Sequence, residues 1–553
     1  MSSIGGTYGL SGSGMDIDSI VKKLMAGQQT KDDALVQKKT VLQWQKTAYN
    51  TVYDDISTFR NTVFNYKLEG TLNPNKVSSN NMSVVTATAN AGAVDVNHSL
   101  VVAQLASGVN LTSTSSITPT GADKKTLATQ LGVTSSFAIN IGNGSASKAI
   151  TITPTESIND VVSAINSAGV NVQASYDSTL DRFFLSTTNL GSTTGISISS
   201  TVTTGTPDAG ADFIRKLNLF PNAAPDSTTN TGGFTTADDT TANTTTTTFS
   251  SPTGLDAEFK LDGVHLTEAS NTFNISGVTY SITGVSPNVG AGNIEDKLSA
   301  GQATSVSVTN DVDKAVDNIQ SLVDSYNKIL AEVNGKVKET RYTDYPPLTD
   351  TQKAAMKDAD ITLWNTKAQS GMLHSDATLT SLVNAMRNAF SSPVSGITGT
   401  YNSASSIGIT TGDYTEGGKL YLNTDKLRTA LNANPNVLNQ LFGAAGTTTT
   451  INGKTTTDSK SQGIAGRLYD GIKNTMDQLN QIAGTTANSQ YDTNSNFAKK
   501  IIAYNTQISN ATNRFNTMQS AYYKQYNAME VALSALSSQS SWLSSQLGTS
   551  STG

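Results

Sequence analysis

The chain of 553 residues contains no cysteine, which removes thiol chemistry and argues against a structural zinc site. It has three histidines, His98, His265 and His374, none at metal-ligand spacing to another. No nucleophile is marked for a histidine-dependent triad, so the expectation is hydrogen-bonded histidines, no enzyme, no metal and no cofactor. Charge is scarce too: Asp, Glu, Lys and Arg make up 14% of the chain, with 37 basic against 43 acidic residues and a net charge of −6. Without a basic surplus a nucleic-acid partner is not expected. No run of about 18 apolar residues occurs, so no membrane insertion is expected either. The first basic residue is Lys22 and no apolar stretch follows the start, so no cleaved signal peptide is expected. A polar, low-charge, thiol-free composition fits a surface-exposed bacterial protein, and such a chain would need a dedicated export route.

Proline is missing from both ends. All twelve prolines lie between Pro74 and Pro435, and both proline-free ends carry helical periodicity. Tyr49, Val52, Ile56, Phe59, Val63 and Tyr66 form a heptad seam. Stepping back by sevens gives Leu42, Leu35 and Gln28, but the matching positions Gln45, Lys38 and Lys31 are polar. One apolar residue per heptad is too little for a helix on its own, so residues 1 to about 45 are expected to order only against a partner. At the other end Ile501, Ile508, Phe515, Tyr522, Met529, Leu536 and Leu543 recur every seven residues, with Gln525 and Gln539 among the alternate positions. Flanking charges are nearly absent, so partner choice there must come from shape and buried amides. A third seam runs from Val312 through Val323 to Val337. Three such helices from distant parts of one chain predict one bundle.

Between the ends the period changes to two. Phe259 and Leu261 turn at Asp262-Gly263 into Val264 and Leu266, and Phe273 and Ile275 turn at Ser276-Gly277 into Val278 and Tyr280. Residues 150–186 predict strand, helix, strand, strand, while the Thr-rich runs 222–253 and 444–462 read as loops or linkers. Residues 346–442 turn helical again, with a capping box at Thr349–Gln352, Gly371 as a stop, and Asn434-Pro435 opening a last helix. The predicted class is α+β and multidomain: a discontinuous helical bundle and coiled-coil stalk formed by both termini, with two mainly antiparallel β domains inserted as a head.

Other motifs weigh towards structure. Asn452-Gly-Lys-Thr455 resembles the end of a phosphate-binding loop, but Thr448 stands where a glycine is required. Asp16 and Asp18 are expected to cap and favour the start of a helix carrying Ile20, Val21 and Leu24. Trp44 and Trp542 lie off the seams on the terminal helices, as a second packing face or as interface anchors.

Three stretches carry a resemblance. Ser13–Val21 with Leu24-Met25 and Gln45–Tyr49, then Tyr345–Met356 through Leu373, then Arg514-Phe515 through Leu543, resemble the bacterial flagellar filament cap family, hook-associated protein type 2. Ser157–Val161 with Ala174–Asp177 is similar to a repeat of flagellins and hook-associated proteins. The resemblance implies a homo-oligomeric plate at the filament tip that retains exported flagellin and promotes its insertion. It also implies hook-associated junction proteins, the flagellar type III export apparatus and an export chaperone as partners, and an extracellular location at the tip. The arrangement it implies is a terminal coiled-coil leg of residues 1–48 and 490–553, flexible in isolation, and a helical bundle of 49–75 and 306–489. A β head of 76–112 and 250–305 and an inserted β domain of 113–249 complete it. A hook–filament junction protein and a surface adhesin are the competing readings.

Overall fold

The computed structural model describes residues 16–90, 92–143, 146–221, 224, 230–451, 454–488 and 491–548. The chain forms two compact units: one consists of the segments ending at Asn73 and resuming at Val312, the other of Pro74–Asp311.

The first unit is helical. Its N-terminal helix, Ile17–Asn65, is continuous, and its long seam is the reason: Tyr49, Val52, Ile56, Phe59 and Val63 are all buried. They pack in one core with the helices Val312–Lys338, Ala377–Ser391 and Ile464–Ala483. Tyr326 lies at the centre of this core, wholly buried, with its ring edge-on to Phe59 and Phe390. The C-terminal helix, Asn496–Gly548, runs without a break, as its lack of proline and glycine before Gly548 allows. The capping box forms as expected: Gln352 N–H donates to Thr349 Oγ1 and Thr349 N–H to Gln352 Oε1. The helix Asp358–Gln369 turns Trp364 inward, where its Nε1 donates to Pro346 O at 2.7 Å and its ring meets Tyr345. Gly371 follows at φ +64°, and a Cβ there would meet the Thr340–Arg341 backbone at 2.7 Å, so only glycine fits.

Two expectations for this unit are corrected. Asn434 does not cap a helix starting at Pro435; it closes Thr424–Ala433, and the next helix begins at Val437 with Asn436 as its cap. The Thr-rich run near 450 is not a plain loop but a hairpin of Thr448–Ile451 and Lys454–Thr457. Polarity suggested a linker, whereas threonine's branched Cβ favours extended backbone.

The second unit is β-rich and holds two cores. In the first, the strands Asn75–Ser79, Thr304–Asn310, Val96–Gln104, Ala257–Leu261 and Val264–Glu268 form one antiparallel sheet in that order. It packs on a smaller sheet of Thr272–Ile275, Val278–Ile282 and Val85–Ala89. Both predicted hairpins form, with Asp262 and Gly263 at φ +51° and +86° and Ser276 and Gly277 at +52° and +81°. Positive φ at both central positions matches the right-handed twist of the flanking strands. Phe259, Phe273 and Tyr280 stack between the sheets.

The inserted region, from the 110s to 250, has its own core. The helix Ile158–Asn166 buries Ile158, Val161 and Ile165, and the strands Val172–Asp177 and Arg182–Thr187 follow it as expected. Its larger sheet has the order Gly233–Asp239, Thr244–Ser250, Ser197–Thr203, Phe137–Gly142, Ser147–Ile152. The run 222–253, expected to be a linker, therefore supplies two strands. Phe249 is the clue that was outweighed: alternating with threonines, it turns inward and is buried.

Candidate functional site

No described helix is long and apolar enough to cross a membrane. Among the described residues no group of three or more His, Asp or Glu could hold a metal ion. Each histidine has a hydrogen-bond partner: His98 meets Asp262, His265 meets Glu258 and Glu295, and His374 meets Glu339 O. Asn452 and Gly453 lie outside the described residues.

The remaining candidate is the pair of terminal helices, which run antiparallel and meet along much of their length. At one end Ile17, Val21 and Met25 are buried beneath Phe515, Met518, Tyr522, Tyr523 and Tyr526. The front of the N-terminal helix, read above as needing a partner, thus has one inside the chain. The apolar face differs from the expected one: Ile17 and Met25 are buried while Leu24 is exposed. A straight helix drifts about 20° per heptad from a strict seven-residue repeat, which carries Leu24 off the contact line. Asp16 caps the helix by accepting from Ser19 N–H at 3.0 Å, and the Ser19 bonds hold its carboxyl below the usual range. Asp18 accepts from Tyr523 OH at 3.0 Å; burial first, then this contact, raises the Tyr523 phenol's pKa. The residues Ser13–Met15 of the opening motif lie outside the described residues.

Farther along, the pair separates into a groove of about 780 Å³ lined by Leu35, Lys38, Leu42, Arg341, Lys500 and Tyr504 among others. Leu35 and Leu42 are half-buried there; Trp44, Ile501 and Ile508 are half-buried too but do not line the groove. Gln37 Nε2 donates to Pro347 O at 2.8 Å, tying the N-terminal helix to the Tyr345–Leu348 segment. Beyond the groove Lys46 Nζ pairs with Asp492 at 2.8 Å, both side chains close to buried. Tyr49 OH donates to Asp376, and its ring tilts onto Phe497.

The C-terminal helix then outruns its partner. Phe515 and Tyr522 are half-buried against the start of the N-terminal helix, but Met529, Leu536, Leu543 and Trp542 are exposed. From Val531 to Gln546 every residue is exposed. The seven-residue recurrence thus joins three situations that spacing alone could not distinguish: a packed stretch, a groove and an exposed stripe. Lys46, Asp492 and Asp376 were missed by sequence reasoning. A lysine within a seam-bearing helix was a usable clue for the first; nothing local marked the carboxylates.

Val21→Asp would place an unpaired carboxylate under Phe515 and Tyr522. The expected result is near-complete loss of amide-exchange protection over residues 17–25, with protection around Tyr326 unchanged; hydrogen-exchange mass spectrometry checks it.

Family models match along the chain: flagellar hook-associated protein 2 N-terminus over residues 13–108, and C-terminus over 254–538. The flagellin hook IN motif matches residues 136–189, where the Ile158–Asn166 helix and its flanking strands lie. The chain is 26% identical over 560 residues to flagellar hook-associated protein 2 of Halalkalibacterium halodurans, covering 95% of this chain and 97% of that one. It is 24% identical to the Escherichia coli protein of the same name, covering 97% and 96%. The crystal structure of the flagellar cap protein FliD D1-D2-D3 domains from Escherichia coli superimposes with a TM-score of 0.50 at 18% identity, covering 83% of this chain and 99% of that one, a likeness of fold. Two terminal helices joined in one helical unit, a β-rich unit between them and a C-terminal model spanning more than half the residues lead to one conclusion: the chain belongs to the flagellar hook-associated protein 2 family.

Proposed function

We propose that this chain is a filament cap: a homo-oligomer at the distal tip of the flagellum that holds exported flagellin and promotes its insertion. The observation that carries the reading is the exposed end of the C-terminal helix, where Met529, Leu533, Leu536 and Leu543 leave an apolar stripe open to solvent and Val531 and Trp542 are exposed on the other side. No charge occurs between Val531 and Gly548, so a partner helix would be held by shape alone and could be released as the tip advances. On this reading residues 1–48 and 490–553 act as legs, with Leu35, Leu42, Ile501 and Ile508 beside the groove and Trp542 as an anchor. Flagellin and neighbouring copies are the partners, and export runs through the flagellar type III apparatus with its chaperone.

A deletion strain tests this. The expected result is flagellin shed as monomer into the medium and hooks without filaments, restored by the full chain in trans. Filaments of normal length in the deletion strain contradict the proposal.

Attachment to surfaces is a second reading, favoured by one feature of the inserted sheet. Its solvent face presents Thr235, Thr244, Thr246, Thr248, Thr201 and Thr203 in register, with hydroxyls of Thr201 and Thr246 bonded at 2.9 Å. Intact filaments with lost adhesion in the same strain would support it instead.

A further inference from the structure

The five-stranded sheet containing Val96–Gln104 has a solvent side whose composition follows from register. Val101 lies opposite Lys260, Lys260 opposite His265, and Glu258 opposite Thr267. The short helix Ile294–Ala300 covers this side, burying Leu298 against Val101 and Ala103. Its first turn brings Glu295 to the sheet. His265 Nε2 then stands 2.7 Å from Glu258 Oε2, and Nδ1 stands 2.7 Å from Glu295 Oε1.

Both imidazole nitrogens therefore face carboxyl groups. An ionised carboxylate only accepts, and a neutral imidazole carries one N–H, so two such bonds require the imidazolium. Lys260 lies directly across the strand pair from His265, and Glu295 is two-thirds exposed to water. The charged groups around the ring are Glu258 and Lys260 from one strand and Glu295 from the helix, with Asp296 and Lys297 further along it. The strand beneath contributes only Val101 and Ala103 at this level. Protonated His265 thus balances two carboxylates with Lys260, whereas a neutral ring would turn a lone pair towards one of them.

We propose that protonated His265 is a latch that clamps the Ile294–Ala300 helix over Val101 and Ala103, and that loss of its proton lets the helix lift. A seven-residue helix has too few internal bonds to persist undocked, so its state follows its contacts. Leu298 is its single buried side chain, Ile294 packs partly buried beside it, and the latch adds to these two contacts. The sign follows from the same bonds. The contact with Glu258, opposed by partial burial and assisted by Glu295, raises the His265 pKa above its ordinary value. The clamp is fully present below about pH 6.5 and is lost as pH rises through the raised value.

The chain's lack of cysteine provides the test. Ala103→Cys in the full-length protein puts one thiol under the helix, at a site 3% exposed. Its labelling rate is divided by that of Ala242→Cys, an exposed turn position, to remove the intrinsic pH dependence of the thiol. The ratio is expected to rise about tenfold between about pH 6 and about pH 9, in line with loss of a charge-assisted bond. In His265→Gln and Glu295→Ala it should be high and flat across that range. Ala257→Cys, buried between the two sheets, should stay protected throughout. A flat ratio in the parent reporter, a pH step that survives His265→Gln, or labelling of Ala257→Cys in parallel would each overturn the latch.

Discussion

A chain ending at Asn527 is expected to melt like the full-length protein and yet fail to support filament growth. The buried contacts of the terminal helices end at this point: Phe515, Met518, Tyr522, Tyr523 and Tyr526 cover Ile17, Val21 and Met25, whereas Val531 to Gln546 touch water throughout. Removing a segment with no buried side chain among its described residues takes little from the folding free energy. What it removes is about 30 Å of helix at 1.5 Å per residue, with Met529, Leu536 and Leu543 on one face. A stripe of that kind on a soluble helix signifies a partner surface. Leu536→Asp with Leu543→Asp makes the same prediction at full length, since charge on the stripe costs association while leaving the packed stretch alone. Thermal melting of the purified variants, swimming in soft agar and electron microscopy of cells form the comparison. If bacteria carrying the truncated chain swim and grow full filaments, the exposed end is not where the cap engages other subunits.

Periodicity revealed the helices because a seam records which face is covered. The runs Tyr49–Val63 and Val312–Val337 lie on helices whose covered faces form the bundle core. The two hairpins were legible for a different reason, since Asp262-Gly263 and Ser276-Gly277 state their own backbone conformation. The Thr-rich runs failed on composition: threonine is polar enough to suggest a loop, but its stereochemistry suits a strand, and Phe249 alone showed the inward face. The candidate site was half legible. Sequence named Leu35, Leu42 and the C-terminal seam, but the same spacing served buried, grooved and exposed positions, because burial depends on where the partner helix stops. Side-chain pairs were the least accessible, since Lys46 and Asp492 are separated by almost the whole chain and meet only after folding.

That pair yields the largest stability effect. Asp492→Ala is expected to destabilise the helical unit by about 3–5 kcal/mol, the range for breaking a buried ion pair from one side. The side chains of Lys46 and Asp492 are 11% and 8% exposed, so water screens the pair little. Asp492 also accepts from the N–H groups of Asn494 and Ser495 and from Ser495 Oγ, which set the turn leading into the C-terminal helix. Lys46→Met with Asp492→Asn should recover most of the loss, because it removes both charges and keeps an oxygen for that turn. The pH dependence has a definite sign. Burial opposes ionisation of Asp492, but Lys46, Ser495 and Asn494 outweigh it and hold the carboxyl well below the usual range. A depressed carboxyl contributes stability above its unfolded pKa of about 4 and loses it as pH falls through the folded value. Parent and Asp492→Ala should therefore differ fully at neutral pH and converge in strong acid, as followed by urea unfolding at a series of pH values. An undiminished difference at the acid end would assign the effect to packing of the turn, and the charge of the pair would then not be what fastens the start of the C-terminal helix to the N-terminal one.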